Sequence, residues 1–368
     1  MKPKTISIIG GYGATGAVVA RKLASETIHI INIVGRNMIK AYELANEIGK
    51  NTKYVQLDIF DESKLRNLCR KSDIIVNCAG PSAKIKDRIA IVAIKENCHY
   101  VDAGGYEFTY EMLKGNNYFS NIKTCCVFSA GWIPGIAEVL ASYSDYLANE
   151  IFDQKENMNV FYGDRNVWSD IGLLDTIQYI KKNSLRDMSF VRSGKIKRLH
   201  FWGFTKKFDL PFGVGKQRGY LHLIPELKPF ALNNTEYRII KSYLVLFGWR
   251  TFLAMMKIYL FLNSEINAIE TLKKAYRNEV DSKGVLGVSV VEITGLKGGV
   301  RQKLQTGIIS NGGYTLTGLG CAATVILLLD EKIKAGVKYL PEAINATEFM
   351  EILNNWDVKV LKKISTNP

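Results

Sequence analysis

Six residues, Gly11-Tyr12-Gly13-Ala14-Thr15-Gly16, constrain this chain more than any other stretch. They fit G-x-G-x-x-G and stand between a β-branched apolar run, Thr5–Ile9, and a stretch with helical spacing at 14–23. A strand, a glycine turn and a helix in that order are the context in which the motif cradles a dinucleotide. Gly11 permits the tight turn, Gly13 has no side chain to block a pyrophosphate, and Gly16 lets the helix pack close to the strand. Tyr12, Ala14 and Thr15 fill the loop, and the helix N-terminus offers N–H groups and positive dipole to phosphate.

The next hundred residues alternate strand and helix signals. Strand-like runs occur at 28–34, 54–57, 74–76, 99–101 and Cys125–Phe128, and helical runs at Met38–Ile48, 61–71 and 85–97. Continuous apolar strands separated by helices predict an α/β fold with a doubly wound parallel Rossmann sheet. The end of the second strand selects the cofactor. An NAD enzyme usually places a carboxylate there to bind the ribose hydroxyls. This chain has Gly35-Arg36-Asn37, with Lys40 nearby, and a guanidinium pairs with a 2′-phosphate. NADP(H) is therefore the expected cofactor. Asp58 ends the third strand, and Asn77-Cys78-Ala79-Gly80-Pro81 ends the fourth at the edge a dinucleotide crosses. The cofactor set is thus Gly11 to Gly16, Arg36, Asn37, Asp58, Asn77, Ala79 and Gly80. Asn77 could equally satisfy a buried turn.

At 368 residues the chain exceeds one ordinary core. Beyond Gly135 the pattern changes: 155–235 is less periodic, and 285–294 with 299–310 reads as an antiparallel pair in a second domain. A helix is expected near 318–330 and another near 347–354. The segment 239–262 is strongly apolar but interrupted by Lys241, Arg250 and Lys257. A central Arg costs about 2.5–3.5 kcal/mol in a membrane, so the segment is expected to be a helix at a dimer interface or lining an apolar channel, not a span, with attachment to a membrane surface as the alternative. The six cysteines show no CxxC pair and read as reduced core residues; four scattered histidines argue against a metal site. The net charge of +14 is uneven: 181–219 holds eleven Lys/Arg against Asp187 and Asp209. Most such runs are solvated faces, and the functional alternative is an anionic partner. No export signal opens the sequence, and a cytoplasmic protein acting on a small molecule, without nucleic acid, is expected.

The ordered set of the glycine loop, Gly35-Arg36-Asn37, Leu57-Asp58, Asn77 to Pro81, Tyr100-Val101-Asp102, Ala130-Gly131-Trp132-Ile133-Pro134-Gly135 and Tyr314-Thr315-Leu316-Thr317-Gly318 resembles the saccharopine dehydrogenase-like family. Gly336-Val337 and Pro341-Glu342 extend the likeness. The resemblance implies a Rossmann domain over 1–135, an inserted α+β substrate and dimerisation domain over 136–311, and a segment, 312–368, whose C-terminal helix returns to the Rossmann domain. It implies an NADP-dependent dehydrogenase or reductase transferring hydride at a C–N (amine/imine) centre. The alternatives are an enoyl or imine reductase of a secondary pathway, acting on an apolar or carrier-tethered substrate, and a non-catalytic NADP-binding sensor or scaffold. Tyr100, Asp102 and Tyr106 are the catalytic candidates, able to donate or orient at the edge of the cleft. Asp102 could instead cap the following turn, and family members often carry Glu where this chain has Tyr106. His200 and His222 read as structural.

Overall fold

The computed structural model describes residues 2–49, 51–105, 107–116, 119, 122–183, 188–199, 204–261 and 264–366. The chain divides into two compact units: Met1–Ile136 with Tyr314–Asn345, and Ala137–Gly313 with Ala346–Pro368.

The first unit is built on a parallel sheet, its strands numbered along the whole chain. These are β1 (Thr5–Ile9), β2 (Ile30–Gly35), β3 (Thr52–Gln56), β4 (Ile74–Asn77), β5 (His99–Asp102), β6 (Cys125–Phe128) and β15 (Gly336–Tyr339). Their order is β15-β6-β5-β4-β1-β2-β3. Ile6 and Ile8 are fully buried, and so are Ile31, Ile33 and Val76. Helices on both faces demand such continuous apolar strands. The order reverses between β1 and β4, which puts the loops after β1, β2 and β4 at the switch point where α/β sheets bind ligands. The expected doubly wound sheet is therefore present. The expected helix at 85–97 is two, Ser82–Ile85 and Arg88–Lys95. Lys86, at φ 55°, breaks it.

The helix Gly313–Leu329 is packed into this unit at two glycines. A Cβ at Gly318 would meet the Val18 side chain, and one at Gly320 would come within 2.6–2.8 Å of the Ala130 and Gly131 carbonyls. The rest of the expected returning segment does otherwise. Helix Ala346–Asn355 and strand β16 (Leu361–Thr366) lie in the second unit, where β16 pairs antiparallel with β14 (Val300–Ser310).

The second unit is a mixed sheet ordered β10-β11-β12-β7-β13-β14-β16, with β8 on β12 and β9 on β8. The strands are β7 (Gln154–Arg165), β8 (Ser189–Arg192), β9 (Lys195–Arg198), β10 (Thr205–Leu210), β11 (Gly215–Leu221), β12 (Ile239–Val245) and β13 (Leu286–Lys297). The stretch 155–235 thus holds regular strands that its sequence conceals. The single helix expected over 239–262 is corrected. Ile239–Val245 is a strand, parallel to β7 and antiparallel to β11, and the helix is Trp249–Phe261. The pairing sets Tyr243 opposite Phe161, and their rings stack at 5.4 Å. Helices Asp170–Asn183, Trp249–Phe261 and Glu265–Lys283 share a small core of Leu173, Ile177, Ala254, Ile258, Ala268 and Leu272.

Candidate functional site

The glycine loop is shaped by what each glycine touches. A Cβ at Gly16 would collide with the Gly10 carbonyl and come within 2.7 Å of Gly11 Cα. At Gly11 it would lie 2.8 Å from the Ile8 carbonyl. At Gly13 it would meet only the Gly10 carbonyl, at 3.1 Å. Gly11 and Gly16 are therefore required by the fold, whereas Gly13 leaves open space above the turn. Helix Ala14–Glu26 begins at Gly13 with no side-chain cap, so the N–H groups of its first turn, from Ala14 and Thr15 onward, are left for an anion. The helices after β2 and β3 are closed by Asn37 and Asp61, which accept from the Lys40 and Lys64 N–H groups.

Tyr12 reaches across to the end of β2. Its ring lies on Gly35, and its hydroxyl accepts the Asn37 N–H at 3.0 Å. Beside it is an open depression of ≈ 620 Å³ lined by Tyr12, Arg36, Asn37, Met38, Ile39 and Gln56. Arg36 is exposed there, and no carboxylate is in the lining. Gln56 Nε2 donates to the Arg36 carbonyl at 3.1 Å, fixing the backbone under the guanidinium. Asn37 spends its Oδ1 on the Lys40 N–H, so its side chain caps a helix. Asp58 is exposed, and its Oδ1 accepts the Phe60 N–H.

Asn77, Tyr100 and Asp102 come together in the interior. One Asp102 oxygen accepts from Asn77 Nδ2 at 2.9 Å and from the Tyr100 hydroxyl; the other accepts the Gly104 and Gly105 N–H groups at 3.0 and 2.7 Å. Asn77 Oδ1 accepts the Ala79 N–H at 3.1 Å, which shapes the turn leading to Gly80. Tyr100 is fully buried, and burial together with the Asp102 carboxylate raises its phenol well above the usual range. Tyr106, the third catalytic candidate, lies outside the described residues, as does His200.

The second unit holds groups whose arrangement the sequence did not signal. His222 sits between Tyr162, at Nδ1, and Tyr179, whose hydroxyl is 2.7 Å from Nε2. The Tyr162 hydroxyl donates to the His222 carbonyl at 2.9 Å. On β8, β9, β10 and β12, Arg192 lies opposite Lys195, and Phe190 opposite Lys197. Lys241 caps the Phe190 ring at 5.2 Å, and Lys206 the Phe208 ring at 5.5 Å. Burial, Lys206 and Arg192 together push the Lys241 ammonium below its ordinary range. A cation so surrounded favours an anion beside it.

All six cysteines carry free thiols. Among the described residues no helix is long and apolar enough to cross a membrane.

These features agree with what the chain is similar to. Residues 6–125 match the saccharopine dehydrogenase NADP-binding domain. A saccharopine dehydrogenase-like oxidoreductase of Arabidopsis thaliana, whose name assigns it to the mitochondrion, is 23% identical over 188 residues. That match spans 46% of this chain and 41% of the relative, under half of its length. The apo saccharopine dehydrogenase (L-Glu forming) of Saccharomyces cerevisiae has the same fold, at a TM-score of 0.68 and 14% identity over 99% of this chain and 100% of that one. The chain thus carries a nicotinamide-dinucleotide-binding Rossmann domain of the saccharopine dehydrogenase type and is similar to the saccharopine dehydrogenase-like oxidoreductases, in sequence over that domain and in fold over nearly its whole length.

Proposed function

We propose that this protein is an NADP(H)-dependent oxidoreductase that transfers hydride at the C–N centre of a small, anionic amine or imine. The observation that carries the cofactor reading is Arg36 in a depression whose lining holds no carboxylate. A 2′-phosphate gains a charge-assisted hydrogen bond there and meets no repulsion. The uncapped first turn after Gly13 would hold the pyrophosphate, and the loops after β4 and β5 would border the rest of the dinucleotide. When bound, the nicotinamide supplies the hydride.

The remaining work belongs to the chain. Asp102 already accepts four hydrogen bonds, one of them donated by the Tyr100 hydroxyl. We assign both to holding the loops after β4 and β5 in place rather than to moving a proton. The C–N assignment is supported by the likeness to saccharopine dehydrogenases in domain and fold. The anionic substrate is supported by the cations Arg192, Lys206 and Lys241 on the second unit. A cytoplasmic location belongs to the same proposal. So does a homodimer.

The test is a fluorescence titration with NADPH and NADH, followed by a screen of carboxylated imines for loss of NADPH absorbance. Tighter binding of NADPH and turnover of an imine are expected. Equal affinities overturn the cofactor reading. Tight binding with no turnover overturns the enzyme reading in favour of a sensor.

A further inference from the structure

Helix Trp249–Phe261 has two apolar faces. Thr251, Ala254 and Ile258 are buried, the last two against helices Asp170–Asn183 and Glu265–Lys283. Phe252 stacks on Tyr220 at 5.1 Å. On the opposite side Trp249, Leu253, Met256 and Leu260 are 69, 50, 39 and 55% exposed. Their spacing of four, three and four residues forms one stripe along the helix. Phe261 and Ile266 are exposed as well. A contiguous patch of this kind, rimmed by polar residues, marks an interaction surface.

Charge selects its occupant. Arg250 and Lys257, seven residues apart, lie along one edge of the stripe, and the helix contains no Asp or Glu. A second copy would offer the same stripe and the same cations, with no acid on the helix to pair with them. An anionic lipid surface complements both features. Its acyl region takes the apolar side chains, a Trp sits well at the headgroup boundary, and Lys and Arg extend to the headgroups. At about 20 Å the helix is too short to span a bilayer, and its other face is held by protein, so it can only lie in the plane. The chain's net charge of +14 adds long-range attraction to an anionic leaflet.

We propose that Trp249, Leu253, Met256 and Leu260 form a membrane-surface docking face that binds anionic bilayers peripherally. The full chain is sedimented with vesicles of phosphatidylcholine containing about 30% phosphatidylserine, and with phosphatidylcholine alone, at low and high salt. Salt-sensitive binding to the anionic vesicles is expected, with a blue-shifted emission that the Trp249→Phe variant lacks. Leu253→Asp with Leu260→Asp should abolish it, and both sites are exposed, so NADPH binding reports that the variant is folded. Arg250→Gln with Lys257→Gln should weaken it about thirtyfold, near fivefold for each cation. Failure to bind anionic vesicles, or binding unchanged in the double aspartate variant, overturns the proposal. So does a dimer, seen by light scattering, that those aspartates dissociate while vesicles leave the parent untouched; the stripe would then be a self-interface.

Discussion

The ring of Tyr12 rests where Gly35 has no side chain: a Cβ at Gly35 would lie 2.8 Å from the Tyr12 Cζ. The same Tyr12 hydroxyl accepts the Asn37 N–H. One aromatic residue thus ties the glycine loop after β1 to the loop after β2 that carries Arg36. Gly35→Ala should push the ring aside, break that bond and deform the depression. A stability loss of about 0.5–1.5 kcal/mol is expected from the bond alone, with a parallel loss of NADPH affinity. Tyr12→Phe should lose only the bond. Denaturant unfolding and NADPH titration of both variants check this; an unchanged Gly35→Ala protein would refute it.

The contrast between Gly13 and Gly16, three residues apart, gives a second expectation. Gly13→Val should keep the fold, because little surrounds that position, yet remove dinucleotide binding by filling the space a pyrophosphate needs. Gly16→Ala should instead destabilise the protein, by about 1–3 kcal/mol as overpacking does, because the Gly10 carbonyl and Gly11 Cα are in the way. Unfolding curves beside NADPH titrations separate the two effects. Parental affinity in Gly13→Val would reject this placement of the cofactor.

The Arg36 side chain is exposed and, among the described residues, makes no hydrogen bond or ion pair. Arg36→Ala should therefore leave stability unchanged and weaken NADPH by about 1.5–3 kcal/mol, the worth of a lost charge-assisted hydrogen bond. NADH affinity should stay within about twofold. Equal losses for the two cofactors would show that Arg36 does not meet the 2′-phosphate.

Tyr100 and Asp102 give a test of holding against proton transfer. Tyr100→Phe removes one donor from a buried carboxylate, so a stability loss of about 1–3 kcal/mol is expected. If Tyr100 only positions, the pH–rate profile keeps its shape and the rate falls modestly. Disappearance of a limb of that profile would instead make Tyr100 the proton donor.

Asp164, near the end of β7, has both carboxylate oxygens buried and neither in a well-formed hydrogen bond among the described residues, the Asn166 side chain offering only a weak one. Burial pushes its pKa up to about 7, with Asn166 opposing the rise in part. Unfolded, the group ionises near pH 4. Between about pH 4 and 7 the folded chain holds a proton that the unfolded chain has lost, so stability should fall as pH rises through that window and level off above it. Asp164→Asn should remove this slope and raise stability at pH 8 by up to about 4 kcal/mol. Urea unfolding at several pH values measures it, and a variant with the parental slope would show that Asp164 is not the cause.

The sequence by itself determined the glycine turn and most of the strands of the first unit. Thr5–Ile9, Met38–Ile48 and Cys125–Phe128 have the bounds their local pattern predicts. Continuous apolar strands between amphipathic helices are a short-range signal, and the glycine spacing marks a turn in which Gly11 and Gly16 leave no room for a side chain. Only the tertiary structure decided the rest. Ile239–Val245 is apolar enough for a buried helix. It is a strand because β7, some eighty residues earlier, and β11 supply its hydrogen bonds. Helix Ala346–Asn355 and Leu361–Thr366 belong to the second unit, where β14 offers Leu361–Thr366 an edge. Tyr12 over Gly35, Asp102 between Asn77 and Tyr100, and His222 between Tyr162 and Tyr179 join residues from different elements. Periodicity reports which face of an element is buried; it carries no information about which distant partner completes a sheet or a hydrogen-bond network, and that is settled only when the whole chain has folded.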